Sequence, residues 1–273
     1  MKKLLLLLVI VMSACTLFAE DTYELSLKFK EKETVKNFSK LIINGEVTLI
    51  DKLLPYQSEF EGIMTEKTLE ITKEKTAKKY ITYNIKDIKT TNEKTSEIVK
   101  PKSIGLEMTA KGKITNFIDQ KGKVTQKLEN TADMFPEKAI KVGDTWECGY
   151  TSSGITLPAK STLKEIKEID KVKYAVINTV IDTPIDVNAL MKLMNVSSTT
   201  LGAYDQMEMA AYCKGNSEML FDIEKGTVKE EKFVSTLYLE GYMYGMTVAQ
   251  GQYNINYEQK AFTAEDYKKY AEK

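Results

Sequence analysis

Tyr23, Leu25, Leu27 and Phe29 are interleaved with Glu24, Ser26 and Lys28, the period-2 alternation of a strand with one buried and one wet face. The same alternation returns at Ile81, Tyr83 and Ile85, at Ile104, Leu106, Met108 and Ala110, and at Met207, Met209, Ala211 and Cys213. Runs at 172–181, 227–239 and 247–257 are rich in valine, threonine and tyrosine, which suit a pleated surface. Lys121-Gly122 and Lys225-Gly226 read as turns. Asn44-Gly45, set between Leu41-Ile42-Ile43 and Val47-Thr48-Leu49, predicts a two-residue hairpin. Parallel strands are covered on both faces and would read as continuous apolar runs. The alternation therefore predicts a mainly β fold of antiparallel sheet.

Helix is expected only in short pieces. Asp186 can cap a segment through Ala189, Leu190, Leu193 and Met194, and a helical turn is expected over Thr131 to Met134 before Pro136. Thr263 followed by Asp266 has the spacing of a capping box and predicts a helix in the tail, 261–273. An internal echo runs along the strands. Glu107-Met108, Lys111-Gly112, Asp119 and Lys121-Gly122 are answered by Glu208-Met209, Lys214-Gly215, Asp222 and Lys225-Gly226. Two similar β-rich halves are expected, 20–134 and 135–260; the other explanation is that strand-turn-strand units resemble one another by composition.

The first residues carry a different pattern. Lys2 and Lys3 precede an uninterrupted apolar run from Leu4 to Met12, too short to span a bilayer and built like a secretory signal. Two cleavage sites compete. Met12-Ser13-Ala14-Cys15 resembles a lipobox, which would make 1–14 the signal and Cys15 a lipidated N-terminus. Cleavage after Ala19 would instead make 1–19 the signal and release a plain soluble chain. Both place the mature protein outside the cytoplasm, periplasmic, secreted or anchored, with the lipid anchor as its single route to a membrane.

Composition then narrows the chemistry. The 273 residues carry 39 basic and 39 acidic side chains, no histidine and no arginine. Histidine-based nucleophile couples, imidazole metal ligands and bidentate phosphate forks are thereby excluded. The balanced charge argues against a nucleic-acid partner. Oxygen ligands remain for a metal, but no loop has the spaced acids and amides of a calcium site, so neither metal nor cofactor is expected. Cys148 and Cys213 each fall in phase with buried neighbours, and either a disulfide or two buried thiols fits that placement. Acid-lysine runs such as Glu66-Lys67 and Lys164-Glu165 read as solvated strand faces, and Ser152-Ser153-Gly154 lacks a Ser-x-x-Lys string.

The most specific string is Phe135 to Trp146, in which Pro136 breaks the chain, Gly143-Asp144 turns it and Trp146 points inward to open the next strand. Asp144 reads as a turn residue. The string, together with Phe221 to Gly226, resembles an uncharacterised family of bacterial envelope proteins and lipoproteins with a mid-chain Gly-Asp-x-Trp. That resemblance implies an exported protein of two similar strand-rich halves, and no reaction. By analogy it implies the curved sheet of LolA/LolB-type carriers, whose apolar hollow is plugged by helices.

Leu190, Met191, Met194, Met207, Met209 and Met219 gather along the sequence as a candidate ligand-binding set, since methionine conforms to irregular apolar partners. A lid over 186–196 would complete such a cavity; ordinary core filling is the alternative. The reading that follows is a non-catalytic exported envelope protein holding a lipid, another hydrophobic ligand or a protein partner on a curved sheet. The alternative is an envelope hydrolase using carboxylate or Ser/Lys chemistry.

Overall fold

A computed structural model describes residues 21–49, 52–91, 103–129, 131–152, 155–187 and 208–271. It is mainly β: one curved, unclosed antiparallel sheet of twelve strands with one short helix among the described residues. The strands are β1 (Thr34–Leu49), β2 (Lys52–Ile71), β3 (Ala77–Thr90), β4 (Ser103–Met108), β5 (Ile114–Ile118) and β6 (Val124–Lys127), followed by β7 (Thr145–Ser152), β8 (Ile155–Ile169), β9 (Val172–Ile185), β10 (Glu208–Asp222), β11 (Thr227–Met243) and β12 (Met246–Ala261). Helix α1 (Ala264–Ala271) ends the described chain. Spatial order is β6-β5-β4-β3-β2-β1-β12-β11-β10-β9-β8-β7. Each half of the order is a meander of neighbours in sequence, and β1 joins the two by pairing with β12 from Asn37↔Ala261 to Leu49↔Ala249. The chain therefore runs outward from the middle to one edge, crosses to the other edge through 128–144, and returns.

That crossing fixes the curvature. The Lys111 carbonyl, in the β4–β5 turn, accepts the N–H groups of Met134 (2.9 Å) and Phe135 (3.0 Å). One residue earlier, the Asp133 carbonyl accepts Gly149 N–H of β7 at 3.0 Å. Trp146 donates its indole N–H to the Met134 carbonyl at 2.9 Å. Nine strand spacings separate β4 from β7, about 43 Å along the sheet at ~4.8 Å each, yet consecutive residues touch both. The sheet is curled until its two flanks nearly meet.

Residues 21–30 complete the closure of this end. Tyr23 pairs with Ile140 as an isolated bridge, Leu27 N–H reaches the Ala110 carbonyl, and Lys28 N–H reaches that of Gly226. The alternation expected of a strand here is real, with Leu25 fully buried, but the segment lies across the sheet's end and joins no ladder. Leu25, Phe135 and Ile140 plug the curl against Leu163, Ile177, Met219 and Phe221, with the Phe135 and Phe221 rings 4.7 Å apart.

Three further expectations need correction. Residues 131–134 form no helical turn, because their backbone groups are spent on Lys111 and Gly149. Asn44-Gly45 does not turn: Gly45 lies inside β1, opposite Tyr253 on one side and Tyr56 on the other. Those rings meet edge-on at 6.0 Å, and a Cβ on Gly45 would stand 2.2 Å from the Gln252 carbonyl oxygen. The glycine permits a close approach where the sheet bends. The echo divides as well. Asp119 and Asp222 both build turns, accepting N–H groups of Lys121 and Lys123, and of Lys225, with Gly122 and Gly226 at positive φ. Gly112 also turns, whereas Gly215 sits in the middle of β10.

The tail behaves as its capping box predicts. Thr263 Oγ1 accepts Asp266 N–H at 3.1 Å, and α1 packs on the outer face through Phe262 and Tyr270 against Phe38. The helix expected from Asp186 lies outside the described residues beyond Val187, as do 1–20, which carry the expected signal and Cys15.

Phe135→Ala is expected to cost about 3–5 kcal/mol, because it empties the plug that holds both flanks. Gly45→Ala should cost about 1–3 kcal/mol through backbone displacement. Urea unfolding of both variants checks this, and a loss under about 1 kcal/mol for Phe135→Ala would contradict the role of the plug.

Candidate functional site

Side chains alternate across every strand, so cross-strand register shows what each face carries. One row on the inner face runs Ser161, Thr179, Ser217, Phe233, Tyr257, Leu41 and Phe60, from β8 across to β2. The next runs Ile181, Gly215, Ser235, Ile255, Ile43 and Ser58, and the one beyond it Thr183, Cys213, Leu237, Tyr253, Gly45 and Tyr56. The opposite face carries Lys40, Glu59, Lys214, Thr236, Asn254 and Glu258, the solvated set.

The apolar face is the concave one. Tyr150 of β7 stacks on Phe233 of β11, ring centroids 5.1 Å apart and planes 18° apart. Four strand spacings, about 19 Å along the sheet, lie between those strands, so the rings meet across the hollow. Leu41, Ile43, Leu237, Leu239 and Ile255 remain only half-buried on this wall, although they face inward. Among the described residues these apolar side chains form the half-buried wall of the concave face.

Toward the plugged end the wall becomes polar. The row below Phe233 runs Met219, Glu231, Gln259 and Ser39. Ser217 donates its hydroxyl to Glu231 Oε1 at 2.9 Å. Removal from water pushes the Glu231 carboxyl well above its ordinary value of 4.5, while hydrogen bonds from the Ser217 and Tyr150 hydroxyls pull the other way without prevailing. The residue as a whole is half-buried. Burial likewise raises the Tyr150 and Tyr257 phenols. Beside them, Glu66 accepts from Asn37 Nδ2 and from Lys79 Nζ, each at 3.1 Å, and Tyr83 is pushed up to about 12 by burial and the Glu66 charge. The two acids differ in kind: Glu66 has a lysine, and Glu231 has hydroxyls alone among the described residues. Glu66 was expected on a solvated face, but in register it points inward and is partnered by Lys79 from the neighbouring strand.

Of the candidate ligand-binding set, Leu190, Met191, Met194 and Met207 lie outside the described residues. Met219 is buried in the plug, and Met209 stands ten residues away at the open end of the same strand. The Gly-Asp-x-Trp string is structural. Gly143 takes a φ of +92°, Asp144 Oδ2 accepts Lys141 N–H at 3.0 Å, and Leu163 bonds both Gly143 and Asp144. Pro136 follows Phe135 in the plug, and Trp146 packs against both buried clusters. Cys148 and Cys213 are free, buried thiols. They stand on β7 and β10 within one buried cluster with Ala159 and Ile181, and Cys148 Sγ lies 3.1 Å from Ser161 Oγ. Among the described residues no cluster of three or more acids or cysteines could hold a metal ion.

Glu231 was missed at the level of sequence, although a signal existed: it is in phase with Phe233, Leu237 and Leu239, so one acid of Glu230-Glu231 had to face inward. A shallow hollow of about 340 Å³ also lies on the outer face, lined by Val180, Asp182, Lys214, Asn216, Val234 and Thr236. It is wide open to solvent.

The raised carboxyl implies a pH effect on stability. In the fold Glu231 retains its proton above 4.5, where the unfolded chain has already released it. Its stabilising contribution is full below that value and is lost as pH rises through the folded-state pKa. Melting curves from about pH 4 to about pH 8 should therefore show Glu231→Gln gaining on the wild type as pH rises. A pH-independent offset would contradict it.

Comparison with known proteins adds little. No family model and no curated protein matches the chain. The crystal structure of a DUF1329 family protein from Desulfovibrio piger is weakly similar, at 7% identity, over 85% of this chain and 87% of that one. Its TM-score is 0.15, a likeness too faint to carry an argument about function.

Proposed function

We propose that this is an exported, non-catalytic cell-envelope protein that holds a hydrophobic ligand in the concavity of its curled sheet. The observation that supports the reading is the half-buried apolar wall formed by Leu41, Ile43, Leu237, Leu239 and Ile255, on the face where the sheet curls on itself. Burying such a wall against an acyl chain is favourable by about 25 cal/mol per Å² of apolar surface. The sheet supplies a preformed, concave, mostly apolar site with few polar groups, the usual architecture of a small-molecule pocket. Export rests on the charged and apolar N-terminal pattern of residues 2–12.

A neutral, apolar fluorescent probe should bind the wild type and gain emission. Leu237→Asp, which places a charge on the inner wall, should abolish that gain while the protein still unfolds cooperatively. Leu53→Asp, on the outer face at a residue 55% exposed, should leave it unchanged. Failure of the wild type to bind the probe would remove the ligand reading and leave docking of a protein partner on the same face.

A further inference from the structure

The hollow is polarised along the strands. Leu237, Leu239, Ile43 and Tyr253 line its open end, while Glu231, Gln259, Ser39 and Asn37 lie toward the plug. An amphiphile entering by its tail would set apolar carbons against these acceptors. One lodged head-first would match both ends.

The charge of the floor decides which head fits. Of its two acids, Glu66 is matched by Lys79 at 3.1 Å, and among the described residues no lysine pairs with Glu231. The amide oxygen of Asn37, a residue 2% exposed, has no hydrogen-bond partner. An unmatched carboxylate and a free acceptor favour a cation over an anion. The rings point the same way. Phe233 follows Glu231 two residues on along β11, stacks with Tyr150, and stands opposite Tyr257, so three aromatic rings adjoin the carboxylate. Ring faces and a nearby carboxylate are the elements that hold ammonium groups, which lose little hydration when they bind an aromatic wall. Quaternary or alkylated ammonium is preferred to a bare metal ion here, since among the described residues no cluster of three or more acids or cysteines that could hold a metal ion surrounds Glu231.

We propose that the concavity takes a cationic amphiphile, its ammonium head on Glu231 among Tyr150, Phe233 and Tyr257 and its alkyl chain along the half-buried wall. This rests on the ligand-holding reading above and specifies its ligand class.

Displacement of the neutral probe by decyltrimethylammonium, decanol and decanoate, each below its aggregation threshold, tests it. The ammonium compound is expected to compete about tenfold better than the alcohol, and decanoate worse than both. Glu231→Gln should bring ammonium and alcohol to the same affinity while leaving the alcohol unchanged, which also reports that the fold is intact. Phe233→Leu gives a second route, lowering the ammonium preference several-fold with Glu231 present. Equal competition by all three compounds in the wild type would overturn the cationic specificity and leave the hydrophobic reading standing. An ammonium preference that survives both substitutions would overturn the assigned position of the head. A wild type that never takes up the probe would overturn both.

Discussion

Everything in this molecule depends on the tie between Asp133-Met134 and the two flanks of the sheet. A meander of twelve strands has no intrinsic reason to curl tightly; right-handed twist alone yields an open saddle. Here adjacent backbone groups bond the β4–β5 turn on one side and β7 on the other, and Phe135 drives into the gap beside them. With that end drawn in, the faces become unequal. One turns inward, closely packed at its plugged end and only half-buried at the other. Glycines on the inner face, Gly45 opposite two tyrosines above all, let the backbone bend where any Cβ would collide.

The unequal faces account for the distribution of charge. Lysine and glutamate pairs such as Lys40–Glu59 and Lys164–Glu218 decorate the convex side, where solvent screens them and they contribute little. Inside, ionisable groups are few and their surroundings differ. Glu66 is neutralised across strands, while Glu231 sits under hydroxyls and aromatic rings and holds its proton longer than an exposed acid would. An inward carboxylate lacking a cation opposes stability, and a ligand that supplied the missing charge would recover that cost on binding.

Much of this was visible in the residue order. Alternation located stretches of β3, β4 and β10, because a half-buried strand must repeat with period two whatever it pairs with, and the valine, threonine and tyrosine runs located β9, β11 and β12. The same rule misled at residues 23–29, since alternation reports burial and is silent about ladders: that segment hides Leu25 by crossing the sheet's end. Asn44-Gly45 misled for a related reason. A glycine can serve a turn or a crowded crossing, and only the distant Tyr56 and Tyr253 show which. The tie itself was invisible because Lys111 and Gly149 are far from Asp133 in either direction and meet it through backbone groups, which leave no trace in side-chain identity. Glu231 was legible by its phase, and was overlooked because acid-lysine runs are so common elsewhere in the chain.

The first and last strands of the ladder meet at its centre, and this has a consequence for how the protein is made. β1 leaves the ribosome early with β2 as its neighbour on one side, but its other edge belongs to β12, more than two hundred residues later. Throughout synthesis the amino-terminal meander therefore carries a long, bare line of peptide groups in its middle register, the kind of template on which chains stick to one another. Nascent copies need shielding until the final strand arrives, and a chain truncated before residue 246 could never satisfy that edge.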